Sequence, residues 1–214
     1  MNLPELIAIT DPSLADDRLA DLTLRMLSAV PRGSVGIQVR DKVRPASAML
    51  SLAERLHAIC APFEAPLYVN DRLDIALGIG AQGVHLGSRS VDANDARRLL
   101  GPSAFISVAA HGVEDLVAPR TSGATAALVS PVFSSPGKGP PGGTDLLSDA
   151  RRAAPHLRIY ALGGVAPENI DRCAAAGADG VAAIRALWTA TDIAAVAGAL
   201  VSAMRDERAA RRSP

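Results

Sequence analysis

The chain has 214 residues, 49% of them hydrophobic, with 22 acidic residues balancing 22 basic ones. That is apolar material for one sizeable core, and the lack of a basic surplus argues against nucleic-acid binding. No apolar run reaches the roughly 18 residues of a membrane span, and the N-terminus has no basic, signal-like region, so a cytoplasmic protein without a membrane partner is expected. The two cysteines, Cys60 and Cys173, fall on apolar helix faces and read as buried core residues rather than a disulfide or metal pair.

Leu6 to Thr10 reads as a first strand, ended by Asp11-Pro12. Leu19, Leu22 and Met26 repeat with helical spacing, and Val35 to Arg40 is a second strand. Met49, Leu52, Ala53, Leu56, Ile59 and Cys60 form a long apolar stripe of period 3.6. Strand three is Pro66 to Asn70, followed by a helix with Leu73, Ala76, Leu77 and Gly80 on one face. Strand four is Gly83 to Leu86, with a helix from about Asp92 to Leu100. Strand five is Phe105 to Ala109, with a helix from near Val113, and strand six is Ala126 to Val132.

A glycine- and proline-rich loop, residues 133–144, then leads to a helix from about Asp145. Strand seven, Ile159 to Leu162, stops at Gly163-Gly164, and Ile170, Cys173, Ala174 and Gly177 mark the next helix. Strand eight is Gly180 to Ile184, and a last helix starts near Thr191-Asp192. Eight strands alternating with eight helices, with no linker, predict a single-domain (β/α)8 TIM barrel over residues 1–204. Residues 205–214 read as a charged tail that frays. An open doubly wound sheet is the other arrangement weighed, but Thr10-Asp11-Pro12 is not its glycine-rich fingerprint.

Chemistry in a barrel collects at the C-terminal ends of the strands. Those ends carry Gln38, Arg40 and Lys42 after strand two, Asn70-Asp71 after strand three, His85 in strand four and His111 after strand five. The long loop adds Ser134, Ser135 and Lys138; strand seven adds Gly163-Gly164, and strand eight adds Ile184 and Arg185. A glycine pair between a strand and a helix lets backbone N–H groups approach an anion, although such pairs also make plain tight turns. Three cations, Arg40, Lys42 and Lys138, fit a polyphosphate or two phosphates. Asp71 suits either a helix cap or a divalent metal. Lys42 also fits a solvated lysine, His85 a core histidine, and Arg185 a partner for a helix carboxylate.

In these motifs the chain resembles the thiamin phosphate synthase / thiazole tautomerase superfamily. The resemblance runs nearly end to end, through I-T-D (9–11), Q-V-R-D-K (38–42), N-D-R-L-D-I-A-L (70–77), G-V-H-L-G (83–87), His111, P-V-F (131–133) with Lys138, L-G-G-V-A-P-E-N-I (162–170) and G-A-D-G-V-A (177–182). It implies an enzyme of thiamin biosynthesis that joins hydroxymethylpyrimidine diphosphate to a thiazole phosphate and releases diphosphate. By that resemblance Gln38, Arg40, Lys42, Asn70 and Lys138 grip the diphosphate, Asp71 holds Mg2+, and Gly164 with the backbone near Ile184-Arg185 binds the thiazole phosphate.

Several positions depart from the family pattern. The second metal carboxylate is replaced by Ser90 in S-R-S, with Arg89 beside it. A serine two residues before His111 is Ala109, the threonine-rich loop is reduced to S-S-P-G-K with Ser135 in place of one threonine, and the serine ending strand eight is Arg185. The sister activity, metal-independent tautomerisation of a carboxythiazole phosphate with His111 moving the proton, is the alternative implied. A catalytically degenerate binder of thiazole phosphate or thiamin phosphate is the third. Residual apolar faces on the exterior helices leave room for a homodimer.

Overall fold

The computed structural model describes residues 3–118 and 121–210. The eight strands are β1 Leu6–Ile9, β2 Val35–Val39, β3 Leu67–Asn70, β4 Gly83–Leu86, β5 Phe105–Ala110, β6 Ala126–Val129, β7 Arg158–Leu162 and β8 Gly180–Ala183. Each pairs in parallel with the next, and β8 pairs with β1, which closes the barrel. The helices are α1 Asp16–Ser28, α2 Ala46–Cys60, α3 Leu73–Gly78, α4 Ala93–Leu100, α5 Val113–Val117, α6 Gly143–Ala153, α7 Ile170–Ala175, α8 Arg185–Trp188 and α9 Ile193–Ala210. No helix among the described residues is long and apolar enough to cross a membrane.

Strands buried on both faces explain the unbroken apolar runs. One face of each strand packs against the helices in a large cluster that includes both cysteines. Burial pushes each thiol up to about 12, as expected of core cysteines. The other face fills the barrel. Tyr68 and Phe105 stack with centroids 4.4 Å apart, and Tyr160 meets Phe105 edge-on at 6.3 Å. This aromatic plug needs Gly36 and Gly180 opposite it, because a Cβ there would stand 2.8 Å from Tyr68 and 2.5 Å from Tyr160. The Tyr160 hydroxyl donates to the Pro4 carbonyl at 2.8 Å, whereas the buried Tyr68 hydroxyl finds no partner among the described residues.

Two arginines staple the underside. Arg97 of α4 donates to the carbonyls of Gly101, Pro102, Ala104 and Gly123 and to Thr125 Oγ1. Arg151 of α6 donates to the carbonyls of Pro155, Leu157 and Gly177 and to the Asp179 carboxylate. The spacing recurs: 26 residues to the glycine and 28 to the side-chain acceptor in both cases.

Four expectations need correction. A short helix, α8, follows β8, so Arg185 opens a helix rather than closing a strand. β6 stops at Val129, three residues earlier than expected, and Ser130-Pro131 starts the loop with a cis peptide bond. Leu77 is half exposed, and Gly80 lies beyond α3 with φ at +65°, because that helix is only six residues long. The charged tail continues α9 as far as Ala210: Arg205 and Arg208 pair with Glu5 at 3.3 and 3.0 Å. Residues 211–214 of the expected tail lie outside the described residues.

Candidate active site at the barrel mouth

The polar layer above the aromatic plug forms a chain. Gln38 and Asn70 point inward from β2 and β3 and are 1% and 8% exposed. Gln38 Nε2 donates to Asn70 Oδ1 at 3.1 Å, and Asn70 Nδ2 donates to Asp71 Oδ2 at 2.6 Å. Burying two amides is tolerable because Gln38 donates to Asn70 and Asn70 passes the chain on to a carboxylate.

Asp71 sits at φ +61°, a left-handed conformation costing on the order of 1 kcal/mol for a residue with a side chain. Its carboxylate is over-determined: Oδ1 accepts the Gly87 N–H at 3.0 Å and the Ser90 hydroxyl, and Oδ2 accepts Asn70. It does not cap α3, which starts at Leu73 with no side-chain cap. The backbone distortion therefore turns the carboxylate toward the loop after β4, into the mouth.

His85 rises from β4 and is 7% exposed. Its Nδ1 lies 2.9 Å from Ser107 Oγ, whose hydroxyl turns toward the Val84 carbonyl at 3.4 Å. That network makes Nδ1 the donor and leaves Nε2 as an acceptor. Burial lowers its pKa to about 4, against a smaller upward pull from Asp71, so the ring is neutral. His111 is exposed just past β5; its Nδ1 stands 2.7 Å from the Ser130 carbonyl. A carbonyl can only accept, so Nδ1 carries a proton toward it and Nε2 is turned away from that bond. The Asp115 carboxylate fixes the His111 backbone N–H at 2.7 Å.

Arg40 follows β2, where Thr10 clamps its backbone: Arg40 N donates to Thr10 Oγ1 at 2.8 Å, and that hydroxyl donates to the Arg40 carbonyl at 3.2 Å. Next to it, Arg44 is engaged by Asp41 at 3.1 Å and Asp16 at 2.8 Å. The Arg44 hydrogen bond holds the Asp16 carboxyl below its usual range.

Three cavities run together across the mouth. A cleft of about 380 Å³ lies around Asp71, with Lys42, Arg89 and Ser90 in its wall. A central cavity of about 200 Å³ joins Gln38, Asn70, Asp71, His85 and His111 with apolar Ile9, Leu128 and Leu162. A third, of about 610 Å³, lies at the ends of β7 and β8 and is lined by Gly163, Gly164, Ile184 and Arg185. Arg40, Ser135 and Lys138 line both the second and the third. Of the residues singled out from the sequence, Gln38, Arg40, Lys42, Asn70, Asp71, His85, His111, Ser135, Lys138, Gly163, Gly164, Ile184 and Arg185 line this groove, whereas Ser134 lines none of the three cavities.

Gly163 and Gly164 have φ of +96° and +64°. A Cβ on Gly163 would stand 2.9 Å from Pro131 Cα, and one on Gly164 would stand 2.5 Å from the Ser134 carbonyl oxygen. The pair therefore also seats the long loop, a role that the local sequence does not reveal. Asn169 steadies this turn by donating to the Gly164 carbonyl at 2.9 Å.

Among the described residues no group of three or more His, Cys, Asp or Glu gathers as a metal cage. The Asp71 carboxylate, with the Ser90 hydroxyl bonded to its Oδ1, offers oxygen donors at this point. This donor set suits a hard divalent cation only as a partial shell, one to be completed by phosphate oxygens and water.

The family model described as thiamine monophosphate synthase matches residues 6–187. A thiamine-phosphate synthase of Roseiflexus castenholzii is 38% identical over 196 residues, covering 90% of this chain and 84% of that protein. One from Methanoculleus marisnigri is 35% identical over 212 residues, covering 98% and 97%. The solved thiamine phosphate pyrophosphorylase of Pyrococcus furiosus has a TM-score of 0.81 at 23% identity over 95% of this chain and 96% of that one, a likeness of fold.

Proposed function

Since the chain belongs to the thiamine monophosphate synthase family, we propose that it is a thiamin phosphate synthase, joining hydroxymethylpyrimidine diphosphate to a thiazole phosphate with release of diphosphate. The observation that carries this reading is the three-part groove. One end is ringed by cations around Asp71, the other by a glycine turn and the β8–α8 junction, and a partly apolar cavity lies between. That shape suits a diphosphate at one end, a phosphate monoester at the other and two flat heterocycles meeting in the middle.

Departure of diphosphate leaves positive charge on the pyrimidine methylene, which the thiazole nitrogen then captures. The task for the protein is to neutralise the leaving group, hold both rings in line and exclude water. Arg40, Lys42 and Lys138 supply positive charge where diphosphate separates. Gln38 and Asn70 fix the angle of Asp71 through their hydrogen-bonded chain. Asp71 would hold Mg2+, which when bound would add charge neutralisation at the diphosphate. Neutral His85 offers Nε2 to the central cavity without adding a charge that would oppose the pyrimidine cation. Gly163 and Gly164, with Ile184 and Arg185, hold the thiazole phosphate, a common arrangement after strands seven and eight of a barrel. The protein is read as cytoplasmic, like its expected soluble substrates.

Diphosphate release from the two substrates, measured with Mg2+ and with a chelator, tests the proposal. Asp71→Ala is expected to lower it by about 100-fold, the scale of removing one preorganised charge-stabilising group. Failure of the wild-type protein to release diphosphate at any Mg2+ concentration would sink the reading. The tautomerase reading draws its support from Ser90, where the second metal carboxylate is missing, and from the altered S-S-P-G-K loop. It predicts metal-independent isomerisation of carboxythiazole phosphate that His111→Ala abolishes.

A further inference from the structure

Arg185 is a strand-end cation whose present partner does not match its charge. It opens α8 and lines the 610 Å³ cavity. Its Nη2 donates to a neutral hydroxyl, Ser135 Oγ, at 3.3 Å. A guanidinium has five N–H donors in a planar fork, and one long bond to a hydroxyl uses little of that capacity. Among the described residues no carboxylate forms an ion pair with it. The cavity holds two more cations, Arg40 and Lys138, against one carboxylate, Asp11. Asp11 is itself occupied by the Ser13 N–H at 3.0 Å and hydroxyl at 2.7 Å. The wall is therefore built for an anion.

Ser135 also has a position that matters. The loop is pinned at its base, where Phe133 N donates to the Gly163 carbonyl and Gly142 N to the Pro131 carbonyl, each at 2.9 Å. Between these ties residues 136–142 are all exposed. Lys138 N donates to the Ser135 carbonyl at 3.1 Å, so Ser135 anchors the turn that carries Lys138. Whatever holds Ser135 holds Lys138.

We propose that Arg185 clamps the phosphate monoester and latches the 134–142 loop at the same time, so that phosphate in the β7–β8 cavity fixes Lys138 where that cavity meets the central one. One edge of the fork takes phosphate oxygens while the other keeps Ser135, which a lysine's single ammonium does less well. Arg185 is then a binding residue for the monoester and a positioning residue for Lys138. The inference rests on the synthase reading for the identity of the monoester, but not for the latch itself.

The test is tryptic cleavage between Lys138 and Gly139, followed by mass spectrometry, with thiazole phosphate, the dephosphorylated thiazole alcohol and inorganic phosphate as probes. In the wild type, saturating thiazole phosphate is expected to slow that cleavage about tenfold, and the alcohol to leave it unchanged. Ser135→Ala should bind thiazole phosphate, by calorimetry, within a few-fold of wild type yet lose the protection. Arg185→Ser should lose the protection and raise the KM for thiazole phosphate about tenfold, with Arg185→Lys recovering part of the KM alone. Full protection in Arg185→Ser, or none in the wild type under saturation, overturns the latch. Diphosphate release by the wild type is measured alongside. Release without loop protection removes the latch alone, whereas protection by phosphate without release removes the synthase reading and leaves the latch standing.

Discussion

Replacing Ser90 with aspartate sets two carboxylates side by side, because the Ser90 hydroxyl already touches Asp71 Oδ1. At a separation of about 4 Å and an effective dielectric near 20, two like charges repel by roughly 4 kcal/mol. Asp71 is exposed, so solvent screening reduces this to about 1 kcal/mol. The variant also loses the Ser90–Asp71 hydrogen bond, worth about another 1 kcal/mol. A loss of about 2 kcal/mol in a chain of this size lowers Tm by roughly 4–8 °C. The repulsion is also what makes a divalent cation bind: Mg2+ at about ten times its Kd returns some 1.4 kcal/mol. Differential scanning calorimetry in chelator and through a Mg2+ titration reads both effects. The wild type, with one carboxylate, should show almost no Mg2+-dependent shift without diphosphate. A Ser90→Asp protein as stable as wild type in chelator, or indifferent to Mg2+, would show that Ser90 does not set the metal demand of this site.

His85 gives a pH prediction. Its pKa of about 4 lies below the unfolded value near 6.5, so both states are uncharged at this residue above that value. Between the two the unfolded chain binds a proton that the folded chain refuses, and stability falls as pH falls through the window, by up to about 3 kcal/mol. Urea midpoints from pH 7.5 to 4.5 should show a flatter profile in His85→Asn; an equally steep one assigns the loss elsewhere. Gly164→Ala forces a Cβ toward the Ser134 carbonyl oxygen, 2.5 Å away, at φ +64°. The left-handed backbone costs about 1–2 kcal/mol, and displacement of the loop is expected to lower kcat/KM by about 100-fold. Unchanged kcat/KM would mean that the loop does not need its seat on Gly164.

The strands were legible because each is buried on both faces and so is apolar throughout, as in Leu6–Ile9 and Ala126–Val129. The inward Gln38 and Asn70 stood out against that background, and the structure joins them in one hydrogen-bonded chain. What stayed hidden depends on partners far away in sequence. The choice between cap and mouth carboxylate for Asp71 is decided by Gly87 and Ser90, in the next unit of the barrel. The helical tail depends on Glu5, 203 residues before Arg208. Thr10 gave no sign that it would clamp the backbone of Arg40. The four-residue helix at Arg185–Trp188 has no cap to announce it, and its Trp188 Nε1 is fixed by the Ile9 carbonyl, across the ring closure, at 2.6 Å.

The paired arginines beneath the barrel have a consequence for how such a protein can change. Arg97 and Arg151 tie the entries of β5 to β8 with bonds to main-chain carbonyls, whose positions do not depend on side-chain identity at the mouth. The two ends of each strand thus answer to different constraints. Ser90, Ala109 and Arg185 all sit at the upper end, where a substitution alters chemistry without loosening a staple. The lower end holds the strands in place, and the upper end is where a carboxylate can be exchanged for a hydroxyl, or a serine for an arginine, with every staple left intact.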